Sequence, residues 1–466
     1  MTIGKSSGTK DLTVGRPIGL ILGFSLPVLL GMLFQQFYSI VDTVIVGKII
    51  GVDALAAVGS IGPVCFLIIG FCMGICSGFA IPVAQRFGAK DDSGLRRFVA
   101  NSIWLSAGFA IVTTIVVCIL ARQILIWMST PENIFEDAYL YMLILFLGIP
   151  VTFLYNLTSG IIRSLGDSKT PVYFLLMSSF INVGLDLLFI AGFHTGVEGA
   201  AIATVVSQLI SGISCLIFMI RRYPILHMQQ GEMKFDKHYA ATLCNMGIPM
   251  GLQYSITAIG SVILQTAVNG LGSDAVASMT AANRINGFIV CPFDAMGSTM
   301  ATYGGQNVGA KKLQRVKDGL YQCILLGAIY SVIALGILFL FANQLLMIFL
   351  DASETVIMSN ARYVLIVQGA FYFSLALVNI VRFMIQGMGF SKFAILAGVF
   401  EMIARTFAGF ILVPAFGFQA VAFASPIAWV LADAFLLPAF FHVYHVLERV
   451  FSGETKVEEA RIHRWH

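Results

Sequence analysis

Charge is what this sequence has least of. Of its 466 residues only 11% are Asp, Glu, Lys or Arg, against roughly 25% in an ordinary soluble domain. That is too little to clothe a soluble protein of this length, and a chain this apolar does not stay disordered. The net charge is a mild +4, and no basic stripe is interleaved with aromatics, so nucleic acid is not expected as a partner. The eight cysteines form no CxxC pair and no disulfide framework. Cys72 and Cys76, one helical turn apart on an apolar face, read as packing. No GxxxxGK[ST] occurs, so ATP-driven transport would need a separate partner. At membrane depth there is no HExxH, no GxSxG and no histidine cluster, and histidines such as His194, His227 and His463 fall in loops and tails. An enzyme is not expected, nor a cofactor.

What is there is apolar: 58% of the chain. A membrane span takes ~20 apolar residues in succession. After a polar start carrying Lys5, Lys10 and Arg16, Pro17 opens a run too long for a signal peptide. Apolar segments recur near 17–43, 55–83, 98–121, 138–161, 171–193, 199–220, 241–268, 279–304, 319–342, 362–386, 394–416 and 419–443. These twelve should be helices, bent ones at 17–43 and 279–304 where Pro or Gly intrudes, because lipid cannot satisfy stray backbone groups and porin-like alternation is absent. The expected class is therefore all-α, a polytopic membrane protein. With the N-terminus in the cytoplasm, 23 of the 28 Lys and Arg fall on that side and only Lys48, Arg122, Arg284 and Arg362 opposite, with Arg405 inside a span. Arg382 is among the 23. The asymmetry places both termini in the cytoplasm and the chain in the cell (inner or plasma) membrane.

The chain repeats itself at a shift of 221 to 223 residues. Pro27 falls on Pro249, AQRFGAK at 84–90 on GQNVGAK at 305–311, Asn156 on Asn379, and GDSK at 166–169 on GFSK at 389–392. A duplicated six-helix unit starts both halves on one face, so the repeats are parallel. The expected divisions are an N-terminal tail 1–16, helices 1–6 in 17–220, a cytoplasmic linker 221–238, helices 7–12 in 239–445, and a tail 446–466.

A carboxylate at the bilayer centre costs at least ~2.5 kcal/mol, so the acids inside spans carry the information. They are Asp42, Asp186, Asp294, Glu401 and Asp433. Glu401 precedes Arg405 by four residues, the spacing of a structural ion pair. Asp42 shares a helical face with Gln35, Tyr38 and Ser39, and Asn182 points with Asp186 four residues on. Asn156, Thr204 and Gln208 extend this into a polar chamber. Two neighbouring buried carboxyls can take and release a proton near neutral pH, or hold Na⁺ together with the oxygens of amides and hydroxyls. Asp294 and Asp433 have no partner visible in the sequence. Gly70, Gly74 and Gly78, four apart, allow another helix to approach closely.

The chain resembles the multidrug and toxic compound extrusion (MATE) family from about Pro17 to His445. FYSIVDTVIVGKIIGVDALAAVG at 37–59, PVAQRFGAKD at 82–91, IIRSLGDSKTP at 161–171, NVGLDLLFIAG from 182 and GVEGAAIATVVSQ to 208 carry the likeness. It implies two six-helix lobes around a V-shaped cavity and efflux of cationic or amphipathic compounds in exchange for H⁺ or Na⁺. In the branch resembling the bacterial DNA-damage-inducible members, Asp42, Asn182 and Asp186 match the coupling residues, and Thr204, Asn156 and Tyr139 match polar positions around them. Gln35, Tyr38 and Gln208 complete the expected substrate cavity. The seventh and tenth spans lack the acids another branch uses, which places coupling in the N-lobe. Partners are then small drugs and the lipid bilayer, with the protein acting as a monomer. A lipid-linked oligosaccharide flippase, a distant relative of similar topology, is the alternative; its cavity should be cationic, whereas only Arg284, Arg382 and Arg405 lie near the central spans.

Overall fold

The computed structural model describes residues 9–128, 130–351 and 353–454; Lys5, Lys456, Arg461, Arg464 and His463 lie outside the described residues. The helices of the first half are α1 (Pro17–Ile45), α2 (Val52–Ala89), α3 (Asp92–Trp127), α4 (Glu132–Leu147), α5 (Ile149–Ser164), α6 (Lys169–Asp186) and α7 (Val197–Arg222). The second half has α8 (Lys237–Asn269), α9 (Ser273–Ile289), α10 (Cys291–Gly309), α11 (Leu313–Leu346), α12 (Thr355–Ala370), α13 (Tyr372–Gly387), α14 (Ser391–Phe407), α15 (Val413–Phe416) and α16 (Phe418–Ser452). No strand occurs among the described residues. Among the described residues, nine stretches are long and apolar enough to cross a membrane. The bent pairs α4–α5 (45°) and α12–α13 (53°) make two more, so the segments expected at 138–161 and 362–386 are each broken in the middle. The segment expected at 279–304 is divided at Val290 between α9 and α10, whose Gly, Ser, Thr and Asn content makes them the most polar of the set. The protein is an all-α, multi-pass membrane protein.

Three of these helices end in a π-helical turn: Val46–Ile50 after α1, Leu187–Gly192 after α6 and Ala408–Leu412 after α14. Such turns free backbone groups and concentrate at functional positions. The first two pack against each other.

The duplication is written into the backbone. Lys90 and Lys311, equivalent in the two GAK turns, both adopt the left-handed conformation, φ 58° and 57°, that non-glycine residues rarely take. Gly166 and Gly389 match likewise, at φ 86° and 98°. At Gly166 a Cβ would lie 1.9 Å from the Lys10 carbonyl oxygen, so glycine is required for room as well as for φ.

Packing divides the chain slightly away from the sequence repeat. Among the described residues one compact unit holds Leu30–Gly251 with residues 9–11, and the other holds Leu12–Leu29 with residues 252–454. The units change between Asp11 and Leu12 and again inside α1 and α8, two to three residues after the equivalent prolines Pro27 and Pro249. A proline inside a helix removes one backbone hydrogen bond and loosens the turn before it.

Within the first unit, α2 and α8 meet through glycines on both sides. A Cβ on Gly78 would lie 2.5 Å from Gly247 Cα, and one on Gly74 2.7 Å from Gly251 Cα. Two small-residue pairs, each spaced by four, thus face one another and let the backbones touch. The linker docks on the start of α3 in the same unit: Glu232 accepts from Arg96 Nε at 2.5 Å and Nη2 at 3.0 Å, and from Ser93 Oγ at 3.0 Å. Trp104 Nε1 donates to the Met233 carbonyl at 2.9 Å. The second unit has a matching device, made by the residues ahead of α1. Leu12 is fully buried and its N–H donates to Gln306 Oε1 at 2.8 Å. Lys312 Nζ donates to the Thr13 carbonyl at 3.0 Å and Arg315 Nη1 to that of Gly15 at 2.9 Å.

Candidate functional site

The first unit brings together the residues that the scarcity of intramembrane charge singled out. Asp42 stands in the last turn of α1 and Asp186 is the last residue of α6, so both carboxyls sit where an α-helix passes into a π-helical turn. Asp186 is fully buried, and its carboxyl lies within hydrogen-bonding reach of that of Asp42. Asn182, one turn before Asp186, is satisfied at both ends of its amide when Nδ2 donates to Asp186 Oδ2 and Oδ1 accepts from the Thr204 N–H, both at 3.3 Å. The Thr204 hydroxyl donates to the Ala200 carbonyl at 3.0 Å, so α7 braces Asn182 and Asn182 braces Asp186. One oxygen of each acid, Asp42 Oδ1 and Asp186 Oδ1, is buried with no hydrogen-bond partner. An orphaned buried acceptor is costly, and here two neighbouring acids carry one each.

The other expected residues divide around this pair. Tyr38 lies one turn before Asp42 on α1, within electrostatic reach of both acids. Gln35, a further turn back, is exposed. Gln208 accepts from the Thr152 hydroxyl at 3.5 Å, while the Asn156 amide donates to the Thr152 carbonyl of its own helix at 2.8 Å. These three make a second polar patch, on α5 and α7. Tyr139 does not join the pair: its ring lies under the Arg122 guanidinium, 5.2 Å from centroid to Cζ. The tyrosine near the acids is Tyr141, buried on α4 within electrostatic reach of Asp42, Tyr38 and Asp186. Periodicity holds the signal for it. Ile134, Ala138, Tyr141, Met142 and Phe146 form the buried stripe of α4, and Tyr139 falls off that stripe.

The second unit buries Glu401, Asp433, Arg382 and Arg405, and holds a third acid, Asp294, whose residue stays exposed. Glu401 accepts from Arg382 on α13, in a close ion pair, and from Arg405 Nη2 at 3.5 Å. Arg382 is thus a buried partner inside the span, where the charge count had placed it in a loop. Asp294 accepts from Asn379 Nδ2 at 3.0 Å, and Asp433 from the Ser374 hydroxyl. The seemingly lone acids each have a partner on α13, a relation across helices that no local spacing reveals. No cluster of three or more His, Cys, Asp or Glu suited to a metal occurs among the described residues.

Internal six-helix repeats and discontinuous helices are features of a transporter type of membrane protein. The MatE family model matches twice, at residues 27–188 and 249–411, once in each repeat. The chain belongs to the MATE family of membrane transporters. It is 30% identical over 344 residues to the probable multidrug resistance protein YoeA of Bacillus subtilis (strain 168), covering 72% of this chain and 74% of that protein. The FAD transporter of Shewanella oneidensis is 24% identical over 309 residues, 65% of this chain and 68% of the relative. The fold superposes, at a TM-score of 0.88 and 23% identity, on the outward-facing conformation of a multidrug resistance MATE family transporter, covering 96% of this chain and 99% of that one.

Proposed function

We propose that this transporter exports cationic or amphipathic compounds by antiport with H⁺ or Na⁺ and that the Asp42 and Asp186 pair couples the two fluxes. The observation that carries the reading is the approach of two carboxyls, one fully buried and one half-buried, each with a buried, unpartnered oxygen. Two ionised carboxylates so close repel; a shared proton or a bound cation turns the contact into an attraction. Loading the pair from outside neutralises it and loosens its hold on a cationic substrate. Release to the cytoplasm restores the charge and the affinity. One charge crossing ~100 mV supplies about 2.3 kcal/mol, enough for a gradient of roughly fiftyfold in a neutral substrate.

The donor set favours H⁺. Na⁺ prefers several oxygen ligands, yet the Asn182 oxygen already accepts from Thr204 N–H and the Thr204 hydroxyl is turned to Ala200. The proposed orientation, both termini in the cytoplasm, rests on the Lys and Arg asymmetry, which survives the loss of Arg382 from it. The name of YoeA supports a multidrug cargo. The anionic alternative, prompted by the name of the Shewanella relative and by the flippase reading, needs available cations; of Arg284, Arg382 and Arg405, the last two are held by Glu401, which leaves Arg284 alone. Proteoliposomes with an imposed pH gradient, an imposed Na⁺ gradient, or neither test the proposal with a cationic dye and with FAD. Dye efflux driven by the pH gradient is expected; movement of FAD alone, or dye movement indifferent to both gradients, contradicts it.

A further inference from the structure

At the Arg-rich end of α7 lies a cavity of about 430 Å³ that the transport site does not use, lined by Phe174, Ser214, Ile217, Phe218, Arg221 and Arg222. Its walls are apolar along the span and cationic at the end, the profile of an amphiphile lying parallel to the helix. Ile217 and Phe218 are exposed on a membrane-spanning helix, so the cavity opens where acyl chains run.

Its frame is fixed. Ser211 Oγ donates to the Phe174 carbonyl at 2.6 Å, tying α7 to α6, and the Phe174 and Phe218 rings meet edge to face at 5.7 Å. We infer that this cavity is a binding site for an anionic phospholipid, with the phosphate on Arg221 and Arg222 and an acyl chain along Phe174 and Ile217. Basic pockets between transmembrane helices on the cytoplasmic side suit such headgroups.

Two local charges weigh against an anion, and neither prevails. The C-terminus of α7 carries roughly half a negative charge from its dipole, against two guanidiniums. Its carbonyls are also partly occupied: His227 Nε2 bonds the Ile220 oxygen at 2.8 Å and the Tyr223 N–H donates to that of Met219 at 3.2 Å. The nearby acid, Asp167, is taken up by the Tyr223 hydroxyl at 2.6 Å and by Thr170. Arg221 makes no ion pair among the described residues. A cationic amphiphile of the transported kind is repelled here, which separates this site from the acid pair. The proposed orientation decides only which leaflet supplies the lipid.

Native mass spectrometry of the full chain in detergent, titrated with phosphatidylglycerol or with phosphatidylcholine of the same acyl length, tests the inference. Phosphatidylglycerol is expected to be retained in preference, and Arg221→Gln with Arg222→Gln to weaken that retention by roughly thirtyfold. Ser214→Phe, which fills the cavity and leaves both arginines in place, should weaken it as well; Lys234→Gln with Lys237→Gln, a basic pair elsewhere, should not. Equal retention of the two lipids overturns the inference, as does equal loss in the Lys234 and Lys237 variant or full displacement by inorganic phosphate alone. Melting profiles of the variants exclude misfolding as the cause, and dye efflux measured in parallel reports on the acid pair independently.

Discussion

Glu401 is shared between two arginines, bonded to Arg382 of α13 more closely than to Arg405 of its own helix. All three are buried, so each charge depends on the others. Removing one partner of a buried pair leaves an uncompensated charge, which costs about 3–5 kcal/mol. Glu401→Gln should therefore lower the melting temperature of the purified protein sharply, and more than Arg405→Met does. A Glu401→Gln protein as stable as the parent would show the arrangement to be dispensable.

The contact of α2 with α8 should be equally intolerant of bulk. A side chain at Gly78 drives into the Gly247 backbone, which cannot move aside as a flexible side chain would. Gly78→Ala is expected to cost about 1–3 kcal/mol, and Gly78→Leu more, as overpacking does. Gly108→Ala, where a Cβ meets nothing within 4 Å, is the matched control and should not destabilise. Fluorescence-detected size exclusion after graded heating reads the difference.

Outside the spans, the Arg96 guanidinium holds the Glu232 carboxyl down to about 2, from an ordinary value of 4.5. A carboxyl whose folded value is depressed contributes stability that is complete above its unfolded value and disappears as the pH falls through the folded one. The linker clamp should accordingly hold at pH 5 and above and weaken between about pH 4.5 and 2. Glu232→Gln should remove that part of the acid sensitivity and cost roughly 1.5–3 kcal/mol at pH 7, the worth of hydrogen bonds to a charged group. Hydrogen exchange of residues 224–236 against pH measures it; identical profiles in parent and variant would contradict the assignment.

The acid pair was legible in the sequence because burying charge in lipid is expensive, so Asp42 and Asp186 stand out wherever the helices finally lie. The turn positions were legible too, since Lys90 and Lys311 recur with the repeat. Partners across helices were not. Asp433 meets Ser374, 59 residues away, and Asp294 meets Asn379, 85 residues away, through packing that local spacing does not encode. Arg382 misled for a related reason: five residues before the end of α13, it reads equally well as loop or span until Glu401 is seen opposite. The change of unit inside α1 and α8 leaves only Pro27 and Pro249 as traces, because an apolar helix is equally at home in either unit.

Tyr141 and Tyr139 give a test internal to one helix. Tyr141→Phe removes a hydroxyl near the acids and should slow ion-driven efflux by roughly three- to tenfold, about the worth of one hydrogen bond. Tyr139→Phe keeps the ring under Arg122 and should leave efflux unchanged. A larger effect at Tyr139 than at Tyr141 would reverse the assignment.

In the proposed cycle Asp42 and Asp186 perform the coupling of ion and substrate movement. It is tested most directly by dye efflux from proteoliposomes under an imposed pH gradient, comparing the parent with Asp42→Asn and Asp186→Asn, each shown to be folded by its melting profile. Both variants are expected to lose gradient-driven efflux while still binding the dye; efflux at the parental rate in either folded variant would contradict the coupling role.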